Sequence, residues 1–208
     1  MLIKNLSRLL ILSSALVLPT SVMAMEEDSR MHDEPSFSRP FFPPYVMTDR
    51  ESKALKYLQA NIEKDRSQFS INDKFESMAC SGYLTAVKWL LSPECPTKPN
   101  QHGMNWAFAF AAQYDQRQMV EFLLSLPVGQ LKPDQEAMNW ALIKSTKSCA
   151  NTMIRWLLSQ PDGKLKPDQQ SIKTAYDEIS DNLCYIAPED PRNSVMNETV
   201  ALLRLFRR

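Results

Sequence analysis

Three copies of one phrase constrain what this chain can fold into: Trp89-Leu90-Leu91, Phe122-Leu123-Leu124 and Trp156-Leu157-Leu158. Between and after them stand Lys98-Pro99, Lys132-Pro133 and Lys166-Pro167, followed by Met104-Asn105-Trp106-Ala107, Met138-Asn139-Trp140-Ala141 and Ile172-Lys173-Thr174-Ala175. The steps from 104 to 138 and from 138 to 172 are each 34 residues. A fixed period of that length means one supersecondary unit stacked on copies of itself, each covering an apolar face that it cannot bury alone. Arrays of this kind present extended surfaces and usually bind rather than catalyse.

The ends of the chain read differently. Lys4 and Arg8 precede a short apolar run from Leu9 to Leu18, and Val22-Met23-Ala24 places a small residue where cleavage is expected, so residues 1–24 read as a secretory signal peptide. The run is short for a membrane span and Glu26, Glu27 and Asp28 follow at once; an uncleaved signal anchor is the alternative. The expected product is exported, periplasmic or secreted, with no membrane span after cleavage. Residues 25–47, with Pro35, Pro40, Pro43 and Pro44, read as a disordered arm bearing the aromatic knot Phe41-Phe42-Pro43-Pro44-Tyr45. Residues 48–208 carry the repeats.

Charge and glycine content exclude some function classes. Twenty-four basic residues balance 24 acidic ones, so the chain lacks the basic excess that holds nucleic-acid phosphates. Four glycines leave little material for a phosphate-cradling loop, and no cofactor is indicated. Of the two histidines, His32 lies in the arm; His102 with Cys80 makes at best a thiol dyad that nothing in the sequence orients. No metal-ligand spacing or nucleophile motif appears, so the reading is not an enzyme.

Within the repeats the apolar period is helical throughout. A capping box at Thr48-Asp49-Arg50-Glu51 opens the first helix, with the Glu51 carboxylate expected to return to the Thr48 amide. Outer helices hold residues 54–58, 86–91, 119–124 and 153–158. Inner helices run over roughly 72–81, 105–113, 135–147 and 169–180, with Asp134 and Asp168 as N-caps. A last helix, 198–206, closes the stack after the break at Ala187-Pro188-Glu189-Asp190-Pro191. The connections 125–133 and 159–167 are long and turn-rich, with Pro127 expected at the second position of a type I turn.

The run Met78-Ala79-Cys80-Ser81-Gly82-Tyr83-Leu84-Thr85-Ala86-Val87-Lys88-Trp89-Leu90-Leu91 resembles the second half of an ankyrin repeat. There a small residue ends the inner helix, a glycine makes the turn, and a Val-x-x-Leu-Leu helix follows. Asp115 and Cys149 stand where the later copies would have that glycine, and Trp106-Ala107-Phe108 and Trp140-Ala141-Leu142 replace the family's Thr-Pro-Leu-His start. Tetratricopeptide units share the period but use very short connections. The resemblance covers residues 53–182. It implies an all-α, ankyrin-like helical-hairpin solenoid of about four repeats, of the short exported type found in host-associated bacteria, and it implies protein partners.

A helical wheel places Met138, Ala141, Leu142 and Ser145 of the third inner helix toward its outer helix, and Trp140, Ile143, Lys144 and Lys147 away from it. The preceding inner helix divides alike, with Met104, Ala107, Phe108 and Ala111 inward and Trp106, Phe110 and Gln113 away. Those seven outward residues are the candidate partner-binding set on a concave face, with Asp73 and Thr174 flanking the tryptophans. The alternatives are that the tryptophans wedge between repeats as core, or that the aromatic knot of the arm covers them.

Cys149 and Cys184 follow successive inner helices and are the best candidates for a disulfide, though a helix diameter is wide for one, and buried free thiols are the other reading. Asn197-Glu198-Thr199 matches a glycosylation sequon. The reading is a monomeric, exported protein-interaction module, against an effector or enzyme with unrecognised catalytic residues, or a structural periplasmic protein.

Overall fold

A computed structural model describes residues 46–127, 129–161 and 164–207, all within one compact unit, Tyr45–Arg208. The segment read as a signal peptide and nearly all of the segment read as an arm, its aromatic knot included, lie outside the described residues, and Val46 and Met47 at the arm's end are exposed. Nine helices and no strand occur among the described residues: α1 (Asp49–Ile62), α2 (Gln68–Cys80), α3 (Leu84–Leu91), α4 (Gln101–Gln113), α5 (Arg117–Leu124), α6 (Gln135–Lys147), α7 (Asn151–Leu158), α8 (Gln169–Leu183) and α9 (Pro191–Phe206). None is long and apolar enough to cross a membrane.

Their order of contact follows the repeat. Helices α2, α4, α6 and α8 pack each on the next, while α3, α5 and α7 each pack on the inner helix before them; α1 lies on α3, and α9 covers α8 and α7. Residues that the wheel assigned inward are fully buried: Met104, Ala107, Phe108 and Ala111 in α4, and Met138, Ala141, Leu142 and Ser145 in α6. They meet Met119, Val120 and Leu123 of α5 and Met153, Ile154 and Leu157 of α7 in a single core. Burial of this kind contributes about 1.5–3 kcal/mol for each large side chain.

The inner helices begin earlier than apolar period alone indicates, at Gln68 and Gln101 rather than at Asn72 and Asn105. Their first turns are polar and are held by a repeated clasp. Gln101 Nε2 donates to Asn105 Oδ1 and to the Lys132 carbonyl, both at 2.8 Å, and Asn105 Nδ2 donates to Asp134 Oδ1 at 2.9 Å. Gln135 Nε2 donates to Asn139 Oδ1 at 3.0 Å and to the Lys166 carbonyl at 2.8 Å, and Asn139 Nδ2 donates to Asp168 Oδ2 at 2.8 Å. Gln68, Asn72, Lys98 and Asn100 repeat the pattern one unit earlier. Each clasp grips the N-cap of the next inner helix, so Lys-Pro-Asx-Gln-x-x-x-Asn is a stacking device. It ends at Lys173, where α8 has no inner helix beyond it.

Helix ends follow from their cap residues. Ser67, Asn100, Asp134 and Asp168 each accept from the amide three residues on, satisfying a donor the helix cannot pair. At the hairpin turns Gly82, Asp115 and Cys149 all take positive φ, 73°, 54° and 54°. The same bonds close each turn, as in Tyr83 N–H to Met78 C=O at 3.0 Å, Gln116 to Ala111 at 2.8 Å and Ala150 to Ser145 at 2.9 Å. Losing the glycine thus leaves the turn geometry unchanged.

Several expectations need correction. Thr48 Oγ1 accepts from the Glu51 amide at 3.2 Å, but the fully buried Glu51 carboxylate crosses to α3 and accepts from the Thr85 amide at 2.6 Å. It caps a helix whose own N-cap, Tyr83, has no side-chain acceptor. In the first long connection Gln130 N–H closes onto Pro127 C=O at 3.2 Å with Gly129 at φ 92°, so Pro127 opens the turn and the glycine takes its third position. The last helix starts at Pro191, not 198, because Asp190 caps it and proline fits a first helical position. Cys149 and Cys184 are unbonded, and all four cysteines are free thiols; the Cys184 Sγ donates to the Ser180 carbonyl at 3.3 Å.

Candidate functional site

On an inner helix the open face is set by what the other directions already hold. In α4 one direction is taken by the core, and the flank bearing Asn105, Ala109 and Ala112 is taken by α6, because Asn105 reaches Asp134 there. Trp106, Phe110 and Gln113 remain, and all three are half-buried. In α6 the corresponding residues are Trp140, Lys144 and Lys147, the first two half-buried and the last exposed.

The rings form a connected cluster across the two helices. The Trp106 and Trp140 centroids lie 4.6 Å apart, and Trp106 stacks on Phe110 at 5.4 Å. His102, which sequence reasoning left aside, stands edge-on to both indoles at 6.0 and 6.3 Å. Its position one turn before Trp106 was the available signal. The Lys144 ammonium lies 4.8 Å from the Trp106 centroid and 4.6 Å from that of Phe110, a cation–π arrangement on both rings. These aromatics stand apart from the core: the outer-helix residues Trp89, Phe122 and Trp156 pack directly on it, as does Ile143, whereas Trp106, Phe110 and Trp140 do not.

Ile143 is the expected site residue that the structure moves elsewhere. It shares the α6 flank with Asn139, four residues earlier, and turns toward α8. Lys147 pairs with Glu178 of α8 at 3.2 Å, and the Gln113 Oε1 is buried without a hydrogen-bond partner.

Helix α2 brings the acidic edge of the same face. Phe69 is 83% exposed, Asp73 exposed and Glu76 half-buried. Burial holds the Glu76 carboxyl above the ordinary glutamate range and Asp73 pushes it the same way, against the opposing charges of His102 and Lys144. Asp168, by contrast, is held below the usual range by the Ser171 amide that it caps. The Cys80 thiol donates to the Ser77 carbonyl at 3.2 Å, and Cys80 sits at the far end of α2 from the level of His102, so the two form no dyad.

On the opposite side of the inner helices the outer-helix rings carry their own cations, Lys88 at 5.4 Å from Phe122 and Arg117 at 5.9 Å from Trp156. An open groove of about 510 Å³ runs between the two long connections there, with Leu124, Pro133, Trp156 and Leu165 as its apolar wall and Lys132 and Lys164 on its rim. Among the described residues no group of His, Cys, Asp and Glu is placed to hold a metal ion. The sequon threonine, Thr199, is fully buried and donates to Asn151 Oδ1 at 2.6 Å, which makes it a packing residue of α9.

Comparison with family models, with curated proteins and with solved structures gives no match. What the site can do rests on its own geometry.

Proposed function

We propose that this chain is an exported, monomeric protein-interaction module, built as an ankyrin-like stack of helical hairpins, that binds a partner protein through the concave face of its inner helices and the adjoining inter-repeat loops. One observation carries the reading. Trp106, Phe110 and Trp140 contact one another on the open side of α4 and α6, outside the packed core, where their burial is incomplete. Indole surface left half-covered beside lysine and glutamine side chains is the composition of an interaction centre, because a partner that completes its burial gains apolar area and excludes water from the charges. Support for the stack comes from the shared hairpin turns at Gly82, Asp115 and Cys149 and from the clasp that each inner helix closes on the next. The groove between the long connections gives the loops a second contact area.

The test is affinity capture from the chain's own cell envelope and from host lysate, comparing parent with a folded Trp106→Ala/Trp140→Ala double variant. A partner retained by the parent and lost by the variant supports the reading; equal capture by both returns the tryptophans to a packing role.

A further inference from the structure

The α2 edge of the aromatic face holds a carboxylate whose charge nothing nearby neutralises by contact. Glu76 is half-buried, and no hydrogen bond or ion pair reaches it among the described residues. The lysines that could serve it are committed, and His102 stands edge-on to the two indoles. Lys144 lies over the Trp106 and Phe110 rings, Lys147 is paired with Glu178, and Lys74 turns along its own helix to the Ser70 hydroxyl. Asp73, one helical step away, is exposed and also unpaired.

We propose that this face takes an extended segment of a partner protein carrying arginine or lysine, with the cationic head against Glu76 and Asp73 and the rest of the segment across Trp106 and Trp140. This rests on the reading of that face as the partner surface. Charge complementarity selects the occupant: an acidic segment would bring like charge against Glu76 and Asp73, a repulsion that grows as the contact loses water. Aromatic faces beside a carboxylate are the chemistry that holds a guanidinium, which stacks on a ring while its N–H groups bond the oxygens. A half-buried carboxylate with no partner lowers stability, and a guest cation recovers that loss only in the complex. Phe69, on the same face of α2 one turn before Asp73, extends the apolar track in the direction an extended segment would run.

The experiment is a tryptophan-fluorescence titration of the full chain with blocked hexa-arginine and hexa-glutamate peptides at low salt. Saturable hexa-arginine binding is expected, weakened about tenfold by Glu76→Gln, the factor for one lost charge contact. Asp181→Asn, at the far end of the face, should leave it within about twofold. Glu76→Gln removes an unfavourable burial, so a thermal midpoint at or above the parent's shows that any loss of binding is not a loss of fold. Hexa-arginine binding indifferent to Glu76→Gln, tighter binding of hexa-glutamate, or no saturation up to about 5 mM, a free energy near the weakest specific contacts, overturns the proposal. If hexa-glutamate binds and Trp140→Leu abolishes it, the basic partner is wrong while the face remains a binding surface. If a folded Trp140→Leu variant binds hexa-arginine as the parent does, both readings fall.

Discussion

The junction between α4 and α6 and the junction between α6 and α8 come from the same repeated sequence pattern, yet they are built from different chemistry. On the flank of α4 that faces α6 the residues are Asn105, Ala109 and Ala112, all buried, and the two helices approach closely enough for Trp106 and Trp140 to touch. The corresponding flank of α6 carries Asn139, Ile143 and Thr146; its clasp is only half-buried, and α6 packs less extensively on α8 than on α4. Thr146 brings a buried hydroxyl with no partner where α4 has a methyl group, and a partly exposed ion pair, Lys147 to Glu178, stands where the other junction has Gln113 and Lys144. Small residues permit close approach and close approach makes the aromatic cluster, so the place where the inner helices pack most closely is also where the half-buried rings gather.

If that contrast is right, the two clasps differ in weight. Asn105→Ala removes the bond to Asp134 from a side chain that is itself buried and leaves Gln101 short of an acceptor; about 2–3 kcal/mol of stability should be lost. Asn139→Ala, with the same bonds in partial solvent, should cost about 1 kcal/mol. Urea midpoints of the two variants settle the order, and equal losses would break the comparison.

The turns offer a smaller contrast within one geometry. At Gly82 an added Cβ would meet left-handed backbone and lie 2.4 Å from Gln116 Oε1, so Gly82→Ala should cost about 1–2 kcal/mol. Cys149 already carries that backbone strain at φ 54°, and Cys149→Gly should return up to about 1 kcal/mol. A lower denaturation midpoint for Cys149→Gly would show that its side chain contributes packing greater than the strain. Thr146→Val replaces an unpaired buried hydroxyl with a methyl of like shape and should gain about 0.5–1 kcal/mol, whereas Ala112→Thr, which would insert that hydroxyl at the tighter junction, should lose at least as much.

Much of this was legible in the residues. The period gave helical hairpins, and the wheel separated Met138 from Trp140 correctly because one side of each inner helix meets only apolar neighbours. The starts of α2 and α4 were missed because their first turns are polar, and apolar period is silent there; the signal was the shared spacing Gln-x-x-x-Asn, preceded in α4 by Lys-Pro-Asn, which only makes sense once two units lie side by side. Ile143 was misassigned for a related reason: a wheel drawn for one helix has two sides, while a helix with neighbours on both flanks has four. The role of Glu51 was equally out of reach, since its acceptor bond spans 34 residues to Thr85 and local capping rules see only the first turn. Glu76 could not be singled out from sequence at all, because its state depends on which cations of other helices are already engaged.

The smallest stability effect tests the largest functional claim. Burial raises the Glu76 carboxyl above its ordinary value, with Asp73 adding to the shift and His102 and Lys144 opposing it, so the folded chain holds that proton to higher pH than the unfolded chain does. Protons bound in excess by the native state make stability fall as pH rises, here from the ordinary glutamate value of 4.5 upward through the raised one. Glu76→Gln should therefore be indistinguishable from the parent below that window and more stable above it, by a few tenths of a kcal/mol, on the order expected for a group that solvent still screens. Thermal midpoints at pH 4 and pH 7.5 check the sign. A variant that gained stability at neutral pH while losing affinity for a basic peptide would identify a carboxylate kept against the interest of the fold; a variant that lost stability instead would mean that His102 and Lys144 already satisfy Glu76, and that the acidic edge belongs to the architecture of the α2–α4 junction.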